Sequence, residues 1–298
     1  MKILLLGKAG QIGQALRHAL PTLGELASLG RDDADLRDQD ALRRALAAHC
    51  PDVIVNAAAY TAVDQAETDR DTATQVNAQA VATLAQYARD ARALLVHYST
   101  DYVFDGDSAR PYVETDAPHP LNAYGATKLA GESAVLANGC DALVFRCSWV
   151  YAPHGRNFPT SILRLARTRD RLDVVADQTG APTSAALIAR VTVQAIARHR
   201  QQPLQGGIYH LAADGATTWH AFAQYLVAGA AARGAALALA PERIRAIASK
   251  DYPAAAKRPH NSRLDTTRLS AALGLRLPAW TEEADRFLDQ LSAHGEFT

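Results

Sequence analysis

The amino-acid sequence predicts an α/β fold built on a doubly wound parallel sheet. Short apolar runs alternate with amphipathic stretches through the first half of the 298-residue chain, and a glycine-rich turn follows the first run. Apolar runs separated by helices are typical of parallel strands that are covered on both faces. From about residue 151 the alternation loosens, which predicts a smaller C-terminal part.

Five apolar runs predict strands in the first half, and one later run predicts a strand that returns to the same sheet. The predicted strands are residues 2–6, 25–30, 51–56, 93–98, 142–146 and 207–211. Helices are predicted between them at residues 14–20, 40–48 and 72–89, and from about 122 to 138, where an Asn-Gly pair closes the helix.

The chain is expected to divide near residue 150. Residues 1–150 are predicted to form a dinucleotide-binding domain of the Rossmann type, rejoined by the strand near 207–211. Residues 151–298 are predicted to be mainly a substrate-binding part. Ligands of doubly wound sheets bind beyond the carboxyl ends of the strands, and an appended C-terminal part would lie over that edge.

Composition and charge argue against several classes of function. Basic and acidic residues number 31 each and form no basic run, so we expect no nucleic-acid partner. The first apolar run is too short for a signal segment, and no stretch approaches a membrane span, so no membrane partner is expected. Three scattered cysteines indicate a reducing compartment, and we expect a cytoplasmic protein.

The turn after the first strand predicts a dinucleotide site. Gly7, Gly10 and Gly13 are spaced G-x-x-G-x-x-G rather than in the commoner G-x-G-x-x-G pattern. Taken alone, three glycines in a turn more often serve loop geometry. Their position after a strand and before a helix favours pyrophosphate binding, because backbone N–H groups and a helix N-terminus meet there.

Tyr124 and Lys128 are candidates for acid catalysis. They stand four residues apart in a predicted helix, so both side chains lie on one face. A positive charge ~4 Å from a phenol, at an effective dielectric near ~20, favours the phenolate by up to ~4 kcal/mol. Arg could not replace a lysine that must be a compact charge beside the phenol.

A third candidate, Thr100, is predicted to follow the strand that ends at Tyr98. A hydroxyl at that carboxyl edge can hydrogen-bond a substrate carbonyl and orient it toward the phenol. Taken alone, Thr100 could equally be an ordinary turn residue. Together with the glycine turn and the Tyr-Lys pair, it indicates a site for carbonyl reduction.

These three features together resemble the extended short-chain dehydrogenase/reductases that act on nucleotide sugars. Longer strings narrow the resemblance to the dTDP-4-dehydrorhamnose reductase family, and they run nearly from end to end. They cover residues 56–64, 99–106, 146–151, 177–183 and 257–265.

The resemblance implies an NAD(P)H-dependent activity. Its substrate would be a dTDP-linked 4-keto-6-deoxy sugar, dTDP-4-dehydro-6-deoxy-L-mannose, reduced at C4 to dTDP-L-rhamnose for bacterial cell-surface polysaccharide. Thr100 would position the carbonyl oxygen, and Tyr124 would protonate the forming alkoxide. Lys128 would lower the pKa of Tyr124 and contact the nicotinamide ribose.

The resemblance also assigns binding residues. Those expected at the cofactor are Gly7, Gly10, Gln11, Ile12, Gly13, Arg31, Asp35, Leu36, Ala59, Tyr60, Thr61, Tyr98, Tyr124 and Lys128. Those expected at the substrate are Thr100, Asp101, Trp149 and Arg258. The alternative for Trp149 is that it is a packed aromatic at a strand end. Arg258 is expected to clamp the diphosphate, and its alternative is a surface ion pair.

Arg31 predicts a preference for NADPH, with NADH usable but weaker. It follows the second predicted strand, where an acid would bind the ribose hydroxyl of NAD and an Arg accommodates the phosphate of NADP. Asp32 and Asp33 leave an alternative open, because either could bind the hydroxyl if the turn is one residue longer.

Rival functions remain open. Within the enzymes, the rivals are another nucleotide-sugar 4-ketoreductase, an epimerase or a dehydratase, since nucleotide-sugar dehydratases and epimerases share the Tyr-Lys pair. The resemblance implies a Thr-Asp-Glu string in a dehydratase, where this chain has Tyr102 after Asp101. A non-catalytic homologue, of the type of the regulatory subunit of methionine adenosyltransferase, is the rival outside the enzymes. Retention of Thr100, Tyr124 and Lys128 favours an enzyme.

The chain departs from its family at positions tied to assembly. The resemblance implies that some of these reductases are dimers bridged by Mg²⁺. Their ligating glutamates would stand at the positions that Ala15 and Ala186 occupy in this chain. A methyl group cannot ligate Mg²⁺, which demands oxygen donors, and Glu282 with Glu283 is a thin shell. We expect no bridging Mg²⁺, and either a monomer or a metal-independent homodimer.

Overall fold

The computed structural model describes residues 1–295 and 297, and a six-stranded parallel sheet lies at the centre of that part of the chain. The strands, in chain order, are β1 (Lys2–Leu6), β2 (Glu25–Leu29), β3 (Val53–Asn56), β4 (Leu94–Thr100), β5 (Ala142–Cys147), β6 (Val150–Tyr151), β7 (Leu172–Val175), β8 (Thr179–Gly180), β9 (Thr183–Ser184), β10 (Gly207–Leu211), β11 (Thr217–Thr218) and β12 (Ile244–Ile247).

The helices cover both faces of this sheet and form most of the C-terminal part. In chain order they are α1 (Gln11–Ala19), α2 (Gln39–His49), α3 (Val63–Ala66), α4 (Arg70–Thr74), α5 (Ala80–Ala91), α6 (Ala123–Asn138), α7 (Phe158–Ala166), α8 (Ala185–Gln201), α9 (Trp219–Ala232), α10 (Thr267–Leu273) and α11 (Trp280–Ala293).

The order of the strands confirms the predicted doubly wound sheet. It is β10-β5-β4-β3-β1-β2, and each neighbouring pair is parallel. The chain steps outward from β1 to β2 and then returns to place β3 on the other side of β1. A crevice opens at such a reversal, beyond the carboxyl ends of the strands, and ligands of this fold bind there.

Two hydrophobic layers explain why the strand sequences are almost continuously apolar. Side chains of α1, α8 and α10 pack on one face of the sheet, and side chains of α2, α5 and α6 pack on the other. Every residue of β3, β4 and β5 is buried. A polar side chain within these strands therefore needs a partner inside the protein.

Two predicted elements differ from the structure. The helix expected at 72–89 consists of α4, a π-helical turn (Gln75–Gln79) and α5, because tertiary packing overrides the regular helical pattern there. The strand expected to end at Tyr98 continues through Thr100. Ser99 and Thr100 are therefore held by the sheet ladder instead of lying in the turn after it.

The C-terminal part has cores of its own. Side chains from α7, α9 and α11 pack around Phe222, Leu226 and Leu288, and β7 pairs with β12 beside them. The segment near residues 256–265 also packs on the loop after β4: a Cβ at Gly106 would lie 2.6 Å from the backbone nitrogen of His260. The division near residue 150 stays a prediction.

Nothing in the described ranges, 1–295 and 297, is a helix long and apolar enough to cross a membrane.

Candidate active site

The glycine turn joins β1 to α1 at the carboxyl edge of the sheet. A Cβ at Gly7 would lie 2.6 Å from the nitrogen of Ala58, and a Cβ at Gly13 would lie 2.0 Å from the carbonyl oxygen of Gly7. The first and third glycines are therefore required by the packing of the chain itself. A Cβ at Gly10 would meet only Gly7 O at 3.5 Å, so the second glycine leaves open space that a cofactor could approach.

The N-terminus of α1 has the electrostatics of an anion site. Within the described part of the chain, Gly10 precedes the helix and supplies no side-chain cap, and the first turn of the helix carries no acidic residue. The N–H groups of Gln11, Ile12 and Gly13 point away from the helix body and lack acceptors within it. With the positive end of the helix dipole, they suit a pyrophosphate.

Charged groups surround the end of β2, where the adenosine ribose would lie. Nζ of Lys8 donates to Oδ2 of Asp33 at 2.6 Å, and the same oxygen accepts from the backbone N–H of Gly30 at 2.7 Å. These bonds lower the pKa of Asp33, the Gly30 bond most. Arg31 is exposed, and among residues 1–295 and 297 its charge acts on Asp35, whose pKa is lowered mainly by the Arg37 hydrogen bond and to a smaller extent by Arg31. Its guanidinium is therefore accessible to a phosphate.

Asp35 and Leu36, which are also predicted at the cofactor, are engaged by the protein. The carboxylate of Asp35 accepts from the guanidinium of Arg37, at 2.9 Å from its Nε. Leu36 is 6% exposed and packs in the core beneath α2. Their predicted contacts with the cofactor would therefore involve mainly backbone atoms.

Asn77, in the π-helical turn, holds the segment after β3. Its Oδ1 accepts from the N–H of Tyr60 at 2.9 Å, and its Nδ2 donates to the carbonyl of Tyr60 and to Oγ1 of Thr127, both at 3.1 Å. One amide thus ties α6 to the segment that contains the predicted groove residues Ala59, Tyr60 and Thr61. Thr61 itself is exposed.

The α6 helix carries Tyr124 and Lys128, and its sequence explains where it begins. Oδ1 of Asn122 caps the helix by accepting from the N–H of Gly125 at 2.8 Å. A Cβ at Gly125 would lie 2.1 Å from the carbonyl oxygen of Tyr102. This close approach brings the first turn of α6 against the end of β4, so that Tyr124 meets Thr100.

Tyr124, Thr100 and Asp101 form a connected cluster. Oγ1 of Thr100 donates to Oδ1 of Asp101 at 3.2 Å and lies close enough to Tyr124 to oppose the rise that burial causes in the pKa of that phenol. Burial raises the pKa of Asp101 to about 7, and its Oδ2 is buried without a partner among the described residues. The cluster can therefore both accept and donate hydrogen bonds to a sugar oxygen near neutral pH.

Lys128 lies one helical turn further along, fully buried. Its Nζ donates to the carbonyl oxygen of Tyr98 at 2.6 Å and lies 3.4 Å from Nε2 of His97. Burial lowers the pKa of Lys128 to about 8. Burial raises the pKa of Tyr124, and the lowering of that pKa by Lys128 stays a prediction.

The side chain and the backbone carbonyl of Tyr98 have different partners. Its phenol shares a hydrogen bond of 2.7 Å with Oγ1 of Thr192, on the face of the sheet covered by α8. Its backbone carbonyl is the part that reaches Lys128. The predicted cofactor contact of Tyr98 therefore concerns its main chain, and its ring belongs to the core.

Arg258 approaches the cluster from the C-terminal part. Its guanidinium binds both carboxylate oxygens of Asp64, at 3.2 and 2.7 Å, and donates to the carbonyl of Ala256 at 3.0 Å. Its charge opposes the rise that burial causes in the pKa of Tyr102, whose ring lies edge-on to that of Tyr124 with centroids 5.9 Å apart. Arg258 is thus near the acid, although its charge is paired.

Trp149 stacks on Trp219, with ring centroids 3.5 Å apart and planes within 9°. Its φ is +46°, a conformation that a bulky residue rarely adopts. Gly180 makes room for the ring, since a Cβ there would lie 2.5 Å from Cε2 of Trp149. The ring is a packed aromatic at a strand end, as the alternative interpretation held, and contact with substrate stays a prediction.

The positions tied to Mg²⁺ hold no ligand set among residues 1–295 and 297. Ala186 is exposed at the start of α8, and Ala15 packs on the core. Glu283 is buried and accepts hydrogen bonds from Ser184, Arg190 and Arg286. Oε1 of Glu282 accepts from the backbone N–H of Ala279 at 3.2 Å. The absence of a metal bridge stays a prediction.

Four side chains at the site were missed in the sequence: Lys8, Asn56, Asn77 and His97. Lys8 stands inside the glycine turn, and its charge could have been noted beside Arg31. Asn56 and His97 are polar residues within otherwise apolar strands, which is a signal of buried hydrogen bonding. Asn77 gave no signal, because its place depends on a π-helical turn.

Comparisons with known proteins agree on one family. The family model described as the RmlD substrate binding domain matches residues 1–293. The dTDP-4-dehydrorhamnose reductase of Burkholderia thailandensis is 47% identical over 284 residues, which are 94% of this chain and 95% of that protein.

Solved structures agree as well. The dTDP-4-dehydrorhamnose reductase of Clostridium acetobutylicum superimposes with a TM-score of 0.90 at 32% identity, covering 98% of this chain and 99% of that one. The same enzyme of Bacillus anthracis, solved in complex with NADP, gives a TM-score of 0.89 at 32% identity, covering 97% and 100%.

Proposed function

Because the chain belongs to the family of dTDP-4-dehydrorhamnose reductases, we propose that it reduces the C4 keto group of dTDP-4-dehydro-6-deoxy-L-mannose. The product is dTDP-L-rhamnose, a donor for bacterial cell-surface polysaccharide. The cofactor is NADPH, in keeping with the NADP held by the Bacillus anthracis relative and with the accessible guanidinium of Arg31 at the end of β2.

One observation carries the proposal. At the carboxyl end of β4, the hydroxyl of Thr100 donates to the carboxyl group of Asp101 at 3.2 Å and lies near enough to Tyr124 to affect the pKa of its phenol. A carbonyl oxygen that takes the place of the carboxyl oxygen at Thr100 would lie within reach of the phenol, so one hydroxyl orients the oxygen and the other protonates it.

The reaction divides between the cofactor and these side chains. When bound, the reduced nicotinamide supplies a hydride to the carbonyl carbon. The electron pair of the carbonyl bond moves to oxygen, and Tyr124 gives that oxygen the proton of its hydroxyl. The ammonium of Lys128 stabilises the resulting phenolate, and the proton that restores the phenol comes ultimately from solvent.

The binding assignments belong to the same proposal. The turn at Gly7–Gly13 holds the pyrophosphate, and residues 151–298 mainly bind the sugar nucleotide, with Arg258 at the diphosphate and Trp149 beside the substrate. The protein acts in the cytoplasm as a monomer or a metal-independent homodimer. Tyr102 stands at the position where the resemblance places a glutamate in the dehydratases. The carboxylate that elimination of water would need is therefore missing at that position.

The decisive experiment follows the loss of NADPH absorbance as a small panel of nucleotide-linked 4-ketosugars is added. We expect the dTDP-linked 6-deoxy-4-keto sugar with the L-manno configuration to be turned over fastest, and Tyr124→Phe to lose that turnover. A faster rate with another sugar or base would reassign the substrate. No oxidation with any of them, in a folded protein that binds NADPH, would overturn the proposed function.

A further inference from the structure

A short row of buried polar groups lies beneath Lys128, and the mechanism above does not use it. Asn56 ends β3 and His97 lies in β4, and the two are register partners in the parallel sheet. Both side chains therefore point to the face that α6 covers. Asn56 and His97 are each 1% exposed and Lys128 is 2% exposed. Polar groups so deeply buried are held by specific hydrogen bonds.

The hydrogen bonds fix the orientation of the Asn56 amide. The backbone N–H of Ala58 can only donate, and it lies 3.2 Å from Oδ1 of Asn56. Nδ2 of Asn56 therefore faces Nδ1 of His97, at 3.2 Å. An amide nitrogen donates and does not accept, so Nδ1 of His97 is the acceptor.

That acceptor role determines the tautomer of His97. Burial, and secondly the charge of Lys128, lower the pKa of His97 well below its ordinary value, so the ring is neutral. A neutral imidazole has one ring proton, and with Nδ1 accepting, the proton is on Nε2. The asparagine thus selects the tautomer of the histidine.

The proton on Nε2 points at Lys128, whose Nζ lies 3.4 Å away. A lysine ammonium has three donors and no lone pair, so it cannot accept a hydrogen bond from that N–H. A neutral amine can. The contact therefore favours the uncharged form of Lys128 over the charged form, in the same direction as its burial.

Other titratable groups near Lys128 do not supply such a donor. They are Glu132 of α6, Cys147 of β5, Tyr98 of β4, and Asp101 with Tyr124 at the substrate side. Glu132 is paired with Arg146 at 2.6 Å and favours the charged form of the lysine. Burial raises the pKa of Cys147 and keeps it uncharged. Among the described residues, His97 is the group that favours loss of the proton by hydrogen bonding.

We propose that Asn56 and His97 are positioning residues that ease the release of a proton from Lys128 during the proposed reduction. Once Tyr124 has given its proton to the product, the ammonium of Lys128 gives up one that reaches the phenolate through an intervening water or hydroxyl group. Ammonium becomes amine as phenolate becomes phenol, so charge is conserved. His97 then donates a hydrogen bond to the amine until solvent returns a proton to Nζ.

The inference rests on the proposed function for its place in the reaction, but its test needs no turnover. The chain has five lysines, so carbon-13 NMR of the full protein labelled at lysine Cε resolves Lys128, assigned by Lys128→Met. In the wild-type protein we expect Lys128 to titrate near 8. Nitrogen-15 NMR of the imidazoles, assigned by His97→Gln, should show the ring proton of His97 on Nε2.

Two matched substitutions separate the tautomer from simple packing. In His97→Gln, Oε1 can accept from Asn56 and Nε2 can donate to Lys128, so the pKa of Lys128 should stay within about half a unit of wild type. In Asn56→Asp, a carboxylate faces Nδ1 and draws the ring proton there, leaving Nε2 as an acceptor. The pKa of Lys128 should then rise by about one unit or more.

The outcomes are decisive in both directions. A wild-type ring proton on Nδ1, or a large pKa change in His97→Gln, would overturn the proposal. So would an Asn56→Asp protein in which the pKa of Lys128 rises while the ring proton stays on Nε2, because added charge alone would then be the cause. Where turnover is measurable, the alkaline limb of kcat should move with the pKa of Lys128, with little change in KM. An alkaline limb of kcat that does not move with the pKa of Lys128 would show that Asn56 and His97 have no role in the reaction.

Discussion

The cofactor side and the substrate side of this site are built by different means. On the cofactor side, the turn at Gly7–Gly13 offers backbone N–H groups and open space beside Gly10, and it is held by close backbone contacts. On the substrate side, Arg258 is paired with Asp64, and Trp149 is stacked on Trp219. The cofactor turn presents backbone donors that no side chain among the described residues occupies, whereas the two residues proposed for the substrate side are engaged by other parts of the protein.

This difference explains how one chain can bind its two ligands with different selectivity. Backbone groups recognise a diphosphate whatever its base, so the cofactor turn is nearly independent of side-chain identity. A ligand that binds Arg258 must replace the hydrogen bonds that this side chain makes to Asp64, so a group that cannot replace them binds the proposed substrate side less well.

The largest effect is expected where the two sides meet. Tyr124→Phe removes only the hydroxyl that protonates the product, and general acid catalysis contributes about 10²–10⁴-fold, so kcat should fall by that factor. NADPH affinity, measured by fluorescence titration, should stay close to wild type. Lys128→Ala should be at least as damaging, and near-normal turnover by Tyr124→Phe would contradict the assignment of the acid.

The next largest effect is expected from substitutions in the glycine turn, which change the cofactor side alone. Gly13→Ala forces a Cβ against Gly7 O and should cost about 1–3 kcal/mol of unfolding free energy, measured by urea denaturation. Gly10→Ala fits the protein without a clash, so its stability should stay within about 0.5 kcal/mol while KM for NADPH rises. Equal stability of the two variants would show that the turn is looser than the structure indicates.

Arg31→Ala tests selectivity at the far end of the cofactor. A charge-assisted hydrogen bond contributes about 1.5–3 kcal/mol, so KM for NADPH should rise roughly tenfold or more while KM for NADH changes little. The matched control is Arg43→Ala, an exposed arginine on α2 paired with Asp40. Equal changes for both cofactors would mean that Arg31 only shapes the turn.

A smaller effect sharpens the substrate side. If Asp64 competes with the diphosphate for Arg258, Asp64→Asn should lower KM for the sugar nucleotide, and Arg258→Ala should raise it. The change should reach at most about fivefold, because a partly exposed ion pair contributes about 0.2–1 kcal/mol. KM for NADPH is the internal control. Two variants that lose stability equally and leave KM unchanged would make the ion pair structural.

Removal or addition of Mg²⁺ is expected to have no effect on assembly or turnover. Sedimentation and turnover measured with EDTA and with millimolar Mg²⁺ should agree, because Ala15 and Ala186 offer no oxygen to a cation and Glu283 is occupied by Ser184, Arg190 and Arg286. A dimer that dissociates on chelation would contradict the predicted assembly.

The sequence predicted the sheet well because its pattern is local. Alternating apolar runs and helices require neither distant contacts nor exact boundaries, and the spacing of Tyr124 and Lys128 identifies one helical face directly. The glycine turn was readable for the same reason.

What the sequence could not predict depends on residues far apart in the chain. Asp64 and Arg258 are separated by 194 positions, so their pairing appears only after folding. The direction in which Nζ of Lys128 points is set by Tyr98 O and His97 on a neighbouring strand. The π-helical turn that carries Asn77 arises where α6 packs closely, since a Cβ at Gly131 would lie 2.2 Å from Asn77 O.

That π-helical turn has a consequence for sequence length. A π-helical turn holds one residue more than the α-helical path it replaces, so deleting a single codon within Gln75–Gln79 would leave a helix that is still well formed. The deletion would leave the two flanks in register but would remove the bulge that places the amide of Asn77 against Tyr60 and Thr127. Length variation among natural or engineered versions of this chain should therefore accumulate in surface loops and spare this five-residue window.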